Sequence, residues 1–231
     1  MTARRAGPIV RRMSDGRFIT FEGGDGVGKT TQIARLAERL EAAGQSCRVT
    51  REPGGTPFAE RLREFILDPE TPEHSALSEA LLFVAARHDH VERLIRPQIG
   101  QGTWVLCDRF IDSTRAYQGV AGNVAHETLS GLEAIVHGDC LPDLTIILDL
   151  DPQQGLTRRA ARLGTSGAES GSSDRYEQRD VSFQVRLREA FIAIAADEPA
   201  RCRVVDAGRP IEQVQEDIWA LVSERFGIEG A

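Results

Sequence analysis

Eight residues restrict this chain more than any others: Gly23-Gly24-Asp25-Gly26-Val27-Gly28-Lys29-Thr30, directly after the apolar stretch FITFE and directly before an amphipathic run. The segment fits GxxxxGK[ST] in the strand, loop, helix context that the pattern requires. Glycines there let backbone N–H groups turn inward around phosphate oxygens, at a helix N-terminus whose dipole also favours an anion. In such a loop the lysine, here Lys29, reaches the β and γ phosphates, and the hydroxyl, here Thr30, meets Mg²⁺. The spacing therefore predicts a nucleoside triphosphate site over Gly23, Gly24, Asp25, Gly26, Val27, Gly28, Lys29, Thr30 and Thr31.

The 28 basic residues reinforce this reading, because Lys29 is the single lysine among them. Arginine and lysine serve equally on a solvated surface, so a chain that keeps one lysine keeps it where a compact ammonium is needed and a planar guanidinium does not replace it.

Around the loop, short apolar stretches alternate with longer amphipathic ones, the signature of a parallel sheet covered on both faces. Strands are expected at Phe18 to Glu22, Ser46 to Arg51, Thr103 to Asp108, Leu144 to Leu150 and Cys202 to Asp206. Helices are expected at Gly28 to Ala43, Pro57 to Leu67, Ser75 to Gln98, His126 to His137, Pro152 to Leu163, Glu177 to Ala196 and Ile211 to Phe226. The fold class is α/β: a P-loop NTPase fold with a five-stranded parallel sheet, helices on both faces, and ligands beyond the carboxyl ends of the strands.

The 231 residues suffice for one such domain, and a net charge of −7 argues against a duplex DNA binder, which needs a broad basic face. No apolar run, Ala80 to Ala86 included, approaches a membrane span. Residues 1 to 17 carry five arginines against one aspartate without an apolar core; they read as a disordered extension rather than a secretory signal or transit peptide. The domain proper is placed at 18–231. The four cysteines, Cys47, Cys107, Cys140 and Cys202, have no metal-ligand spacing and read as thiols in a reducing compartment, which places the chain in the cytoplasm.

Residues Gly164 to Asp174 are rich in glycine and serine, flanked by Arg158 and Arg162 on one side and Arg175 and Arg179 on the other. Composition allows either a solvated linker or a lid, about 158–179, that brings arginines over an anion. The third strand ends in Asp108-Arg109, so a carboxylate stands where these proteins hold Mg²⁺ and a cation follows it, an arrangement suited to two phosphorylated ligands. A guanine-reading NKxD would need a second lysine, and LSGGQ is absent.

Other stretches narrow the reading: TREPGGT (Thr50 to Thr56), LLFVAAR (Leu81 to Arg87), DRFIDSTRAYQG (Asp108 to Gly119), PDLTIILDL (Pro142 to Leu150) and DRYE (Asp174 to Glu177). With the glycine-rich loop, and in this order from Phe18 onward, they resemble the bacterial thymidylate kinase family. The resemblance implies transfer of the γ-phosphoryl group of ATP to dTMP with Mg²⁺, by a homodimer. It implies that Phe83 stacks on the base and Arg87 bonds it, whereas helical spacing alone makes Phe83 a core residue. It gives the acceptor phosphate to Arg51 and Arg109, the alternative for Arg51 alone being a surface ion pair.

Asp25 falls where the family contacts the sugar 3′-hydroxyl, and Pro53, Ser113, Thr114, Tyr117 and Gln118 fall where it lines the base and deoxyribose pocket. Without the resemblance, Ser113 and Thr114 are equally helix caps and Tyr117 a packing residue. Catalysis is implied for Lys29, Asp108, Arg109 and Arg175, with Arg158 and Arg162 toward ATP and Thr30 and Asp108 toward the metal. Two other readings are a P-loop kinase for a different small acceptor and a regulatory P-loop ATPase, whose turnover would not depend on any acceptor.

Overall fold

A computed structural model of the chain describes residues 16–136, 138, 140–165 and 181–228, except the side chains of residues 159 and 162–165. Five parallel strands, β1 (Phe18–Glu22), β2 (Cys47–Arg51), β3 (Trp104–Asp108), β4 (Leu144–Asp149) and β5 (Cys202–Asp206), form one sheet in the order β2-β3-β1-β4-β5. All five lie within a residue of the stretches their apolar runs predict. Because β1 is central and pairs with both β3 and β4, its carboxyl end opens where the strand order reverses, the place at which such sheets bind ligands.

Helices cover both faces. On one, α1 (Lys29–Ala42) and α9 (Ile211–Phe226) pack through Ile33, Leu36, Leu40, Val214, Ile218 and Val222, apolar positions three or four residues apart, onto Ile19, Phe21, Leu106, Ile146 and Leu148. On the other lie α2 (Pro57–Leu67), α3 (Ala76–His90) and α8 (Val181–Asp197), with Phe183, Leu187 and Phe191 of α8 over Ile147. Caps fix several entries: Thr56 accepts from Ala59 N at 3.2 Å with Pro57 in the first turn, and Ser75 accepts from Ser78 N at 3.1 Å.

The long helix expected over Ser75 to Gln98 is divided. It runs as α3, then widens to π-winding at Val91–Ile95, and resumes as the five-residue α4 (Arg96–Gly100). Pro97 explains the break, since it has no N–H for the carbonyl four residues earlier and the ladder rewinds ahead of it. A helical passage that periodicity does not signal follows β3: α5 (Ile111–Thr114) leads into a second π-wound segment, Arg115–Val120. That winding buries three consecutive residues, Ala116, Tyr117 and Gln118, which one face of an α-helix does not do.

Beyond these lie α6 (His126–Val136) and α7 (Pro152–Thr165). The N-terminal extension to residue 15, most of the Gly/Ser segment, Arg175 and Arg179 lie outside the described residues. The cysteines are free thiols, three buried and Cys47 half-buried; burial pushes Cys47 and Cys202 up to about 12.

A buried polar clamp ties α5 to the sheet. Arg201, just before β5, donates from Nη1 and Nη2 to the Asp112 carboxylate at 2.7 and 2.8 Å and from Nη1 to Thr145 Oγ1 at 2.6 Å. Thr145 shares a hydrogen bond of 2.8 Å with Thr20 of β1, so the clamp spans β1, β4 and the helix that follows β3. Asp112 is wholly buried, so removing it leaves the guanidinium without its main counter-charge. Asp112→Ala is expected to cost about 3–5 kcal/mol in urea unfolding; a loss below about 1 kcal/mol would show that the clamp carries no such weight.

Candidate functional site

The glycine-rich loop leaves β1 and closes at the start of α1. A Cβ on Gly23 would lie 2.4 Å from Leu148 O and one on Gly26 2.2 Å from Gly155 O, and both glycines have positive φ, so no other residue fits either position. The first turn of α1 has no acidic residue and no side-chain cap, leaving its N–H groups and the positive end of its dipole directed at the loop. Lys29 Nζ donates to Gly23 O and Gly24 O at 3.1 and 2.9 Å. Burial, with Arg109 beside it, lowers the ammonium to about 8 despite Asp108, Asp25 and Glu22.

Thr30 Oγ1 donates to Asp108 Oδ2 at 3.4 Å, and Asp108 Oδ1 is buried with no hydrogen-bond partner. An unpartnered carboxylate oxygen beside a hydroxyl at the mouth of a phosphate loop suits a hard divalent cation. No cluster of three or more metal-ligating side chains occurs among the described residues, so phosphates and water would have to complete the coordination.

Two cavities meet at this edge. The larger, about 690 Å³, is lined by the loop from Asp25 to Thr31 and by Arg51, Arg63, Asp108, Arg158 and Arg209. The smaller, about 120 Å³, is lined by Pro53, Phe83, Ser113, Thr114, Tyr117 and Gln118 among others. Asp25 and Arg109 line both, and they are joined: Arg109 Nη2 donates to Asp25 Oδ1 at 2.9 Å, while its Nη1 donates to Gly23 O and Ser113 Oγ at 3.2 Å each.

Arg109 holds a φ of 70°, a left-handed conformation costly for a residue with a long side chain. Glu22, the last residue of β1, keeps it there. Its Oε1 accepts from Phe110 N at 2.7 Å and Ser113 N at 3.3 Å, and its Oε2 from Ser113 Oγ at 2.6 Å, while Arg109 N bonds Phe21 O at 2.9 Å.

The other expected residues fall at different depths. Phe83 lines the smaller cavity and packs on the core beneath it, so the core position that helical spacing gives it also leaves it at the cavity wall. Arg87 lies behind the wall: its Nε donates to Glu52 Oε2 at 2.7 Å and its Nη2 to Phe110 O and Thr114 Oγ1 at 2.9 and 3.0 Å, with Nη1 buried and unpartnered. Arg51 is exposed, pairs with Glu60 at 3.1 Å and faces the larger cavity. Tyr117 is buried, with Arg109 5.2 Å from its ring centre, and burial raises its hydroxyl. Arg158 Nη1 donates to Ala207 O at 2.9 Å across the larger cavity. The side chain of Arg162 and all of Arg175 lie outside the described residues.

Three further residues shape the site without having been singled out in the sequence. Glu22 has one sequence signal, an acid closing an otherwise apolar buried strand. Glu52 lies inside TREPGGT, bonds Arg87, and receives His90 Nδ1 at 3.0 Å, while His90 Nε2 is 2.8 Å from Thr50 Oγ1. Arg63 lines both cavities and donates to Pro53 O at 2.9 Å; among 27 arginines nothing local marks it.

Comparisons with known proteins place the chain among relatives of one family. The family described as thymidylate kinase matches residues 21–218. A thymidylate kinase of Nitrobacter winogradskyi is 51% identical over 91% of this chain and 89% of its own length, and one of a Bradyrhizobium species is 50% identical over 94% of each. The crystal structure of thymidylate kinase from Ehrlichia chaffeensis superposes with a TM-score of 0.71 at 33% identity, covering 90% of this chain and 98% of that one.

Burial, with Asp112 nearby, raises the Glu22 carboxyl to about 7 even though Arg109 and Ser113 favour its ionised form. The folded state therefore keeps a proton that the unfolded chain releases near 4.5, and the stability this contributes is present below that pH and lost as pH rises through about 7. The stability of the wild-type chain relative to Glu22→Gln is expected to fall between pH 5 and pH 8 in urea unfolding. A relative stability that stays flat over that window would mean that Glu22 is ionised throughout.

Proposed function

The chain belongs to the thymidylate kinase family, and from that premise we propose that it transfers the γ-phosphoryl group of ATP to dTMP, with Mg²⁺, giving ADP and dTDP. One observation carries the assignment of groups to places. A triphosphate-sized cavity around the loop and a smaller one walled by Phe83, Tyr117 and Gln118 share Arg109 and Asp25, so two phosphorylated ligands meet at one guanidinium.

In this reading an oxygen of the dTMP phosphate forms the new P–O bond to the γ-phosphorus, while the bond to the β,γ-bridging oxygen breaks and its electron pair leaves with ADP. The attacking oxygen is already anionic, so no general base is required. The work left to the protein is positioning and charge stabilisation. Lys29 and the N–H groups of Gly26 through Thr30 hold the donor phosphates. Thr30 and Asp108, with its unpartnered Oδ1, would hold the metal, which would supply neutralisation of phosphate charge.

Arg109 carries a full charge between donor and acceptor, where Asp25, Asp108 and Glu22 favour the protonated guanidinium against its burial. Arg51, at the wall of the larger cavity, and Arg63, at the wall of both, are the further cations within reach of the acceptor phosphate. Arg158 and, on the family resemblance, Arg162 and Arg175 belong to a lid over ATP spanning about 158–179 of a single catalytic domain, 18–231. Lid closure would also exclude water as a competing acceptor.

The chain is placed in the cytoplasm, supported by its free thiols; no described helix is long and apolar enough to cross a membrane. Pairing with a second copy is supported by exposed Phe65 on α2, Leu81 on α3 and Ile135 on α6, on helices that pack in sequence α2, α3, α6.

The test is Mg-ATP consumption with dTMP, dUMP, dCMP, dGMP and UMP offered separately. Turnover should require an acceptor, be fastest with dTMP and fade with UMP, which adds a 2′-hydroxyl to the pocket that Tyr117 lines and lacks the methyl group of thymine. Lys29→Ala should fold normally and lose at least about a hundredfold in kcat. Equal rates with every acceptor, or ordinary activity in Lys29→Ala, would overturn the assignment.

A further inference from the structure

Gln118 lies in the second π-wound segment, is 2% exposed, and lines the smaller cavity. Its Nε2 donates to Glu79 Oε1 at 2.7 Å, and Glu79, in the first turn of α3, is itself buried. The second oxygen of that carboxylate lies 3.6 Å from His74 Nε2. A carboxylate accepts hydrogen bonds and an amide has one accepting and one donating end, so Gln118 meets Glu79 only with its NH₂. Turning the amide over would set two acceptors against each other in a buried place, at the full cost of two unsatisfied groups. The polar end that Gln118 has left for the cavity is therefore its carbonyl Oε1.

We propose that Glu79 is a specificity-determining positioning residue: by holding the NH₂ of Gln118 it presents an acceptor to the pyrimidine ring. The thymine ring carries N–H at N3 and pairs with an acceptor there; the cytosine ring has a lone pair at N3 and is repelled by one. Without Glu79 the amide is free to turn and offer either end, so the polarity of the pocket resides in a residue that touches no substrate. A hydrogen-bonding site with fixed polarity rejects a mismatched partner far more strongly than a shape-based pocket does, because the mismatch leaves buried polar groups unpaired. The inference rests on dTMP being the acceptor.

The experiment compares kcat and KM for dTMP and dCMP in the wild-type chain, Glu79→Gln and Glu79→Asp. E79Q, whose own amide offers either end to Gln118, is expected to lower the ratio of kcat/KM for dTMP over dCMP by at least about tenfold, with the loss for dTMP falling mainly on KM. E79D keeps an acceptor-only partner and is expected to hold the ratio near the wild-type value even if KM rises. An unchanged ratio in E79Q, or an equal fall in E79D, would overturn the proposal and leave Glu79 a packing residue.

Should E79Q not fold, the double variant E79Q/Q118E rebuilds an amide–carboxylate pair with the acceptor at position 118. Retention of the dTMP preference there supports the proposal, and its loss overturns it. A wild-type chain that does not use dTMP at all would instead bring down the assignment of the acceptor, whereas a wild-type preference for dTMP with no shift in E79Q contradicts Glu79's role alone.

Discussion

The site depends on one buried carboxyl group. Glu22 ends the central strand at the point where the chain turns into the phosphate loop, and it spends both oxygens on the segment that follows β3. That contact joins two elements far apart in sequence, the loop after β1 and the turn after β3, at the edge where the strand order reverses. It also holds Arg109 in a left-handed conformation from which its guanidinium reaches Gly23 O, Asp25 and Ser113 together. Both cavities border on Arg109, so the relative placement of two ligands follows from how this one residue is held. The Asp112–Arg201 clamp supports the same segment from below.

The electrostatics of the edge are arranged around two cations. Lys29 and Arg109 stand close enough to lower the lysine, while Asp25, Asp108 and Glu22 pull the other way. Burial and the neighbouring guanidinium still outweigh the three carboxylates at Lys29, so an anionic phosphate in the loop would favour its charged form. The single lysine among 28 basic residues is the one inside this cluster. Its compact ammonium fits between Gly23 O and Gly24 O, where a forked guanidinium would need more donors satisfied than the loop provides.

How much of this could be read from residues alone depends on whether the signal is local. The central strands β1, β3 and β4 were legible because both of their faces are buried and they read as mainly apolar runs, the half-exposed edge strands CRVTR and CRVVD by their place in the alternation, and the phosphate loop because its glycines meet a steric demand that nothing else satisfies. The division of the third helix was not, since Pro97 near its end marks a boundary but not the π-winding ahead of it. The helical passage Ile111 to Val120 was missed because its sequence, IDSTRAYQGV, carries no apolar stripe; it is held by Glu22 and Arg201 instead. Glu52 and Glu79 escaped notice for the same reason. Each acts through a partner far away in sequence, Arg87 or Gln118, and a glutamate on an amphipathic stretch reads as solvated until the fold brings that partner to it.

The central claim is that two nucleotides occupy adjoining cavities at once and share Arg109. A bisubstrate analogue, adenosine and thymidine joined through a 5′-5′ polyphosphate, tests it most directly by steady-state inhibition. The account predicts inhibition competitive with ATP and competitive with dTMP. Inhibition competitive with only one of them would mean that the two cavities are not filled together, and would contradict the account.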